Sequence, residues 1–122
     1  MASRPSSPRL GFPRAVRLVR RSEFEVVYKQ GRRQASPSFV IFGRANGLDR
    51  SRFGLSVKLA QGGAVLRNRI RRRIREILRL HLQEIAPGWD IVIHPRSSVA
   101  RAPFTNLATE LVSLVLRFTA RP

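Results

Sequence analysis

RNRIRRRIREILR, residues Arg67–Arg79, puts seven arginines, one glutamate and four large aliphatic residues into thirteen positions. Whether this run is a helix, and which side of it is buried, decides how the rest of the chain folds. At 100° per residue, Leu66, Ile70, Ile74, Ile77, Leu78, His81 and Ile85 fall in one arc. Asn68, Arg72, Arg75 and Arg79 occupy the opposite arc, Arg69 and Arg71 its flanks, and Arg67 and Arg73 lie nearer the apolar edges. The spacing predicts an amphipathic helix from about Ala64 to Ile85, opened by Gly62-Gly63 and ended by Pro87-Gly88. Its polar side is almost entirely guanidinium. Like-charged neighbours such as 67/71, 71/75, 72/75 and 75/79 each disfavour an isolated helix by roughly 0.2–0.5 kcal/mol, about 1–3 kcal/mol over the whole face. Positive charge near the helix start also opposes the macrodipole. Ordinary solvated faces mix signs, so this one points to a polyanion lying along it.

Before this helix, RFGLSVK (52–58) alternates, with Phe53, Leu55 and Val57 on one side and Arg52, Ser56 and Lys58 on the other. SFVIFGR (38–44) is a second strand. Val40 and Phe42 share one of its faces, and Phe39 and Ile41 the other. Asn46-Gly47 with Asp49 marks the turn between them, so an antiparallel hairpin is expected. GRRQAS (31–36) can add a short edge strand. Further upstream, Ser22 as N-cap, two glutamates in a first turn, Lys29 in the last and Gly31 just beyond predict a helix. Phe24, Val27 and Tyr28 share one of its faces. After the long helix, WDIVIH (89–94) reads as a strand stopped by Pro95. Pro103 starts a last helix with Leu107, Leu111, Leu114, Val115 and Phe118 on its apolar side. The order αβ(β)βαβα makes one α+β domain, over residues 16–119, around a small mixed sheet. Residues 1–15, with Pro5, Pro8 and Pro13, read as a disordered or loosely docked basic tail.

Composition narrows the function. The net charge is +17 over 122 residues, and Lys29 and Lys58 are the only lysines. Such self-repulsion calls for an anionic partner, and arginine's planar fork suits phosphate and stacks on bases. An acidic membrane surface is the weaker choice, because a surface helix needs exposed apolar bulk opposite its charge. No apolar run approaches the roughly 20 residues of a membrane span, and the N-terminus lacks the apolar core of a secretory signal. There is no cysteine, which excludes disulfides and thiolate-bound zinc and fits a reducing, cytoplasmic compartment. The seven acids show no spacing suited to two-metal chemistry, and no nucleophile–base pattern stands out. His81 lies on the apolar arc and reads as a core residue. His94 ends a strand with no evident acid partner, and Trp89 reads as core or rim.

A groove between the first helix and the sheet would have aromatic walls from Phe24, Tyr28 and Phe42 and a basic edge at Lys58. Single-stranded nucleic acid favours that combination. Phe24 and Tyr28 are equally at home in a core. Three readings therefore remain open at this level: a subunit of an RNA-based nuclease, a structural RNA-binding protein, and a helix-in-groove DNA regulator. The last expects a partner helix just before the basic one, where this chain has a strand and a glycine loop.

The run FGLSVKLAQGGAVLRNRIRRRIRE (53–76) resembles the signature of the family of bacterial ribonuclease P protein subunits: a GLSV strand, a glycine-containing loop, and a helix opening on A-V-x-R-N-R-I-[KR]-R. RLVRRSEFEVVYKQGRR (17–33) resembles that family's first helix, and WDIVIHPR (89–96) its later strand. The resemblance implies a compact α-β sandwich with a left-handed βαβ crossover around the long helix, where connection rules alone favour the right-handed form. It implies a protein that assists a catalytic RNA, which uses Mg²⁺ to remove the 5′ leader of precursor tRNA. No protein side chain is catalytic, no metal is held by the protein, and one protein serves each RNA subunit. Carried over by position, Arg67, Asn68, Arg69, Arg72 and Arg75 face the catalytic RNA, and the helical wheel adds Arg71 and Arg79. Phe24, Tyr28, Val40 and Phe42 match the leader groove, with Ser56 and Lys58 on the adjoining sheet face. Two departures stand out. Leu59-Ala60 occupies a loop where the family often has lysines, and Gly63 replaces the asparagine before A-V, removing a side-chain helix cap.

Overall fold

The structure, a computed structural model, describes residues 14–120. Three helices, α1 (Arg21–Gln30), α2 (Ala64–His81) and α3 (Phe104–Thr119), pack on four strands, β1 (Arg32–Ala35), β2 (Phe39–Ala45), β3 (Arg52–Leu55) and β4 (Trp89–Pro95). The expected N-terminal tail falls on residues outside those described, except that Arg14–Val16 form a short 3-10 turn.

The strands form one mixed sheet in the order β1-β2-β4-β3. The α+β class and the short edge strand β1 agree with expectation, but the hairpin of β2 with β3 does not form. β4 lies between them, antiparallel to β2 from Phe39↔Pro95 to Ala45↔Trp89 and parallel to β3 from Arg52↔Asp90 to Leu55↔Ile93. The reason is burial. Trp89, Ile91 and Ile93 point to one face and Val92 to the other, and all are buried. A strand that is apolar on both sides belongs where both faces are covered, whereas β3 carries Arg52 and leads into Ser56 and Lys58. The connection from β2 to β3 therefore passes over the start of β4. Asn46, which also turns the chain by accepting the Leu48 N–H, donates to Asp90 Oδ1 at 2.8 Å. Arg52 grips the same carboxylate with two bonds, 2.9 and 2.7 Å. Asp90 thus ties the end of β2 and the start of β3 to the strand that separates them.

α2 and α3 cover one face of the sheet. Ile70, Ile74, Ile77 and Leu78 are fully buried against Phe53, Ile91, Ile93 and the expected stripe of α3, Leu107, Leu111, Leu114, Val115 and Phe118. Burying four such side chains is worth up to about 6–12 kcal/mol, which outweighs the repulsion on the opposite side of α2. The helix ends at His81, earlier than its periodicity suggests. A 3-10 turn, Leu82–Glu84, follows, and Ile85 reaches the core from beyond it. His81 is not a core residue. Its side chain is about a third exposed, and Nδ1 lies 2.6 Å from the Glu84 carboxylate.

α1 covers only part of the other face. Val27 is fully buried with Leu18 and Val92, and Phe24 and Phe42 pack beside them. Phe24 sits so close to β3 that a Cβ added at Gly54 would lie 2.5 Å from its ring. Ser22 does not cap the helix, which begins two residues earlier, at Arg21, with Arg20 as its N-cap. Glu23 supplies the cap instead, accepting the Val19 and Arg20 N–H groups at 3.1 and 3.0 Å while Oε2 meets Arg52 at 3.0 Å. A side chain already committed to Arg52 fixes where the helix can start. Being only ten residues long, α1 leaves the end of the sheet around Val40, His94 and Ser56 uncovered.

The Arg20 N–H bond, helped by Val19 and the charge of Arg52, outweighs burial and holds the Glu23 carboxyl below its ordinary value of 4.5. A carboxylate depressed on folding contributes stability that is complete above its unfolded pKa and is lost as pH falls through the folded one. Glu23→Gln should therefore cost about 1 kcal/mol at neutral pH and flatten the loss of stability on acidification. Urea titrations from neutral to acidic pH check both effects.

Candidate nucleic-acid interface

Two surfaces carry the basic and aromatic residues singled out by the sequence. The first is the outer side of α2. Asn68, Arg69, Arg72 and Arg75 are exposed there, and Arg67, Arg71 and Arg79 are half-buried at its margins. Their side chains are not equivalent. Arg67 Nε donates to Gly62 O at 3.1 Å, and Arg71 donates to Asn68 Oδ1 at 2.9 Å. Arg79 is held by a two-pronged bond to Glu76, 3.0 and 2.6 Å, which lowers the pKa of the Glu76 carboxyl. Arg69 Nε donates to Ala100 O at 2.9 Å. Arg73 turns inward, and its guanidinium bonds Val99 O and Ala100 O at 2.9 Å each and Ala102 O at 2.6 Å. It satisfies the carbonyls ending the 3-10 turn Ser97–Ala100 and stacks near Phe104. Gly63 is the N-cap of α2 and provides no side-chain bond, as its lack of a polar side chain requires.

Beside this face the segment before α1 runs along β3, with Leu18 N–H donating to Phe53 O at 2.9 Å. It brings Arg17 to Arg71 and Arg75 around a recess of about 270 Å³ walled by Leu18, Phe24 and Leu55. Burial, then the Arg17 and Arg71 charges, push Arg75 below the ordinary arginine value. The Arg17 Nε is buried and has no hydrogen-bond partner among the described residues. Three crowded guanidiniums with an unanswered N–H form a seat for an oxyanion.

The second surface is the uncovered end of the sheet. A cavity of about 420 Å³ is lined by Val40, Phe42, Ser56, Lys58 and His94, with Arg33 and Arg96 at its edges. Four of the six expected groove residues therefore meet. Tyr28, 40% exposed, borders the cavity through edge-on contact with Phe42, centroids 5.2 Å apart, and through its hydroxyl, 2.8 Å from His94 Nε2. Phe24 does not reach this cavity. It packs over Gly54 and walls the Arg17 recess instead. Lys58 is positioned by Gln61, whose amide oxygen accepts the Lys58 N–H at 2.9 Å while its amide nitrogen donates to Pro95 O. In the same loop Leu59 is 77% exposed.

Sequence reasoning missed Arg17, Arg33, Arg96 and the site position of His94. The alternation Asp90, Val92, His94 puts His94 on the face of Val40 and Phe42, but the signal is readable only once β4 is known to lie against β2. Trp89 is buried against Phe118 rather than available to a base. Among the described residues no cluster of three or more His, Asp or Glu side chains could hold a metal ion, and no helix is long and apolar enough to cross a membrane.

Comparison with known proteins is decisive at this point. The profile of the Ribonuclease P family matches residues 12–119. This chain belongs to that family. It is 37% identical over 110 residues to the ribonuclease P protein component of Thermotoga maritima, covering 87% of this chain and 94% of the relative. To that of Clostridioides difficile it is 40% identical over 109 residues, covering 88% and 96%. The solved RNase P protein from Thermotoga maritima superposes with a TM-score of 0.78 at 36% identity, over 83% of this chain and 96% of the other. The Staphylococcus aureus RNase P protein gives 0.74 at 31% identity, over 83% and 93%. The role of the chain is accordingly that of the protein subunit of ribonuclease P, an endoribonuclease of tRNA processing.

Within a ribonuclease P subunit the arginines of α2 divide by geometry into those that hold the fold and those that are free. Removing the inward-turned charged donor takes the side-chain bond from Val99 O and Ala102 O and leaves Ala100 O to Arg69 alone, so Arg73→Ala should destabilise by about 1.5–3 kcal/mol, whereas Arg72→Ala should stay within about 0.5 kcal/mol. Chemical denaturation of the two variants measures the contrast.

Proposed function

We propose that the chain docks on the catalytic RNA of ribonuclease P through the exposed face of α2 and receives the 5′ leader of precursor tRNA in the cavity at the open end of the sheet. The observation that carries this reading is where the acids sit: the one carboxylate on the outer side of α2, Glu76, is paired with Arg79. All seven acids of the chain have internal partners: Glu23 and Asp90 with Arg52, Glu25 with Arg21, Asp49 with Arg50, Glu76 with Arg79, Glu84 with His81, and Glu110 with Ser36 and Ser38. None lines the leader cavity or the Arg17 recess. The free guanidiniums thus form an uninterrupted positive field, which attracts phosphodiester charge over several ångströms.

In this reading Arg67, Asn68, Arg69, Arg71, Arg72 and Arg75 face the RNA subunit. Arg72 and Arg75 are the strongest contacts, because neither side chain is committed to a hydrogen bond among the described residues, whereas Arg67, Arg69 and Arg71 are, and Arg79 must first yield its hold on Glu76. Arg17, Arg71 and Arg75 would clasp one backbone phosphate, pairing the buried Arg17 N–H. In the groove Val40, Phe42 and the Tyr28 ring offer apolar surface to bases, while Ser56 and Lys58 follow the backbone; Phe24 stands outside it, on the wall of the Arg17 recess. Cleavage chemistry, with its Mg²⁺, belongs to the RNA. One protein serves one RNA, in the cytoplasm. The chain's own contribution is to bind, align and neutralise.

Affinity for the RNA subunit should fall steeply with salt, by counterion release. In the double variant Arg72→Ala/Arg75→Ala the slope of log affinity against log salt should shrink by about one for each phosphate left without its arginine, with thermal unfolding unchanged. An unaltered slope contradicts the proposed RNA face. Lys58→Ala should weaken the reconstituted complex for precursor tRNA and leave its affinity for mature tRNA unchanged. Equal losses for both substrates contradict the leader groove. Equilibrium binding of the two substrates decides it.

A further inference from the structure

His94 is the imidazole among the described residues of the groove. It lies opposite Val40 in the β2–β4 register, half-buried, on the wall of the 420 Å³ cavity. Two aromatic rings fix its plane: Phe42, with centroids 5.2 Å away in an edge-on contact, and Tyr28, 5.6 Å away. Its Nε2 is 2.8 Å from the Tyr28 hydroxyl, and Ser56 lines the same cavity. The charged groups lining the cavity with it are all cations, Lys58 after β3, Arg33 on β1 and Arg96 after β4, while α1 presents the Tyr28 phenol and β2 presents Val40 and Phe42. No carboxylate lines the cavity.

We propose that His94 is a proton-linked contact of this groove: a single-stranded RNA phosphodiester entering it is met by the imidazolium form, and strand binding takes up a proton. This rests on the leader-groove reading. In the free protein, burial and then the Lys58 charge hold His94 below its ordinary value of 6.5, so the ring is neutral at neutral pH and accepts the Tyr28 O–H. A phosphodiester entering among Lys58, Arg33 and Arg96 reverses the local sign. The cations that opposed protonation are then neutralised, and a negative charge favours it. The proton comes from solvent. Once it is on the ring, Nε2–H donates to the Tyr28 oxygen, and the Tyr28 O–H turns away from it. No heavy atom need move, and the three-ring cluster stays packed in both states.

Linkage fixes the direction. The pKa of His94 is higher with the strand bound than without it, so affinity rises as pH falls from above the bound value and levels off below the free value. Burial of the ring by the strand without a phosphate contact would lower the bound value instead, and affinity would fall on acidification.

The test is equilibrium binding of precursor and mature tRNA to the enzyme reconstituted from its catalytic RNA and the full chain, with wild type and His94→Gln. Gln keeps a hydrogen-bonding group for Tyr28 and cannot titrate. For wild type, the preference for precursor over mature tRNA should rise about three- to tenfold between about pH 8 and about pH 6. For His94→Gln the preference should stay flat over the same range. The same rise in both proteins, with the precursor preference intact, overturns the inference and leaves the leader groove standing. No precursor preference at any pH in either protein overturns both. A measurement on wild type alone guards against a variant that misfolds. The chain has two histidines, and His81 lies on α2 beside Glu84. In NMR titrations of the free chain with and without a saturating single-stranded leader oligonucleotide, the His94 ring resonance should titrate at higher pH with RNA. A His94 midpoint that does not move overturns the proposal.

Discussion

The strand Trp89–Pro95 is the element on which the rest of this protein depends, because it is buried on both faces and must lie inside the sheet. Its alternate side chains are committed in opposite directions. Ile91 and Ile93 pack under α2 and α3, while Asp90, Val92 and His94 line the side of α1. Along that second face the three residues have three different settings. Asp90 closes the ionic clasp with Arg52 and Asn46, Val92 lies under α1, and His94 stands in the open. The groove is therefore the part of a continuous sheet face that a ten-residue helix is too short to cover. No separate structure builds it.

Charge is sorted with the same economy. A chain with 24 basic and seven acidic residues cannot neutralise itself, so where the acids go determines which cations remain free. The most buried acid, Asp90, fixes strand order. Glu23 caps α1, and Glu110 holds the turn before β2 through Ser36 and the Ser38 N–H. Burial pushes the Glu110 carboxyl up, but these hydrogen bonds outweigh it and hold it below its ordinary value. These three anions serve the fold, and the guanidiniums of α2 other than Arg79 are left without a carboxylate. Some of them serve the fold as well. Arg73 closes the turn after β4, so an arginine-rich run is not by itself a count of RNA contacts.

Much of the architecture is legible in the sequence. The stripe of α3, the docked side of α2, the inward positions of β2 and the edge strand β1 all follow from periodicity. Periodicity reports solvent on one side and core on the other, and it does so locally. Ser22 misleads about the N-terminus of α1 because it is a good cap by type, while Glu23 reaches both orphan N–H groups and a cation from a distant strand. His81 misleads for a similar reason. It lies on the apolar arc, but the helix ends there, and Glu84 in the following turn draws the ring to the surface.

By itself the sequence determined the element types, the amphipathic basic helix, the excess of cations and the family signature, since each is written in neighbouring residues and their spacing. Strand order, the division of the arginines into structural and free, the separation of Phe24 from Tyr28 and the arrival of His94 in the groove were decided only by tertiary structure. These depend on which surfaces meet across long stretches of chain, and a strand apolar on both faces gives no local sign of the neighbours it will take.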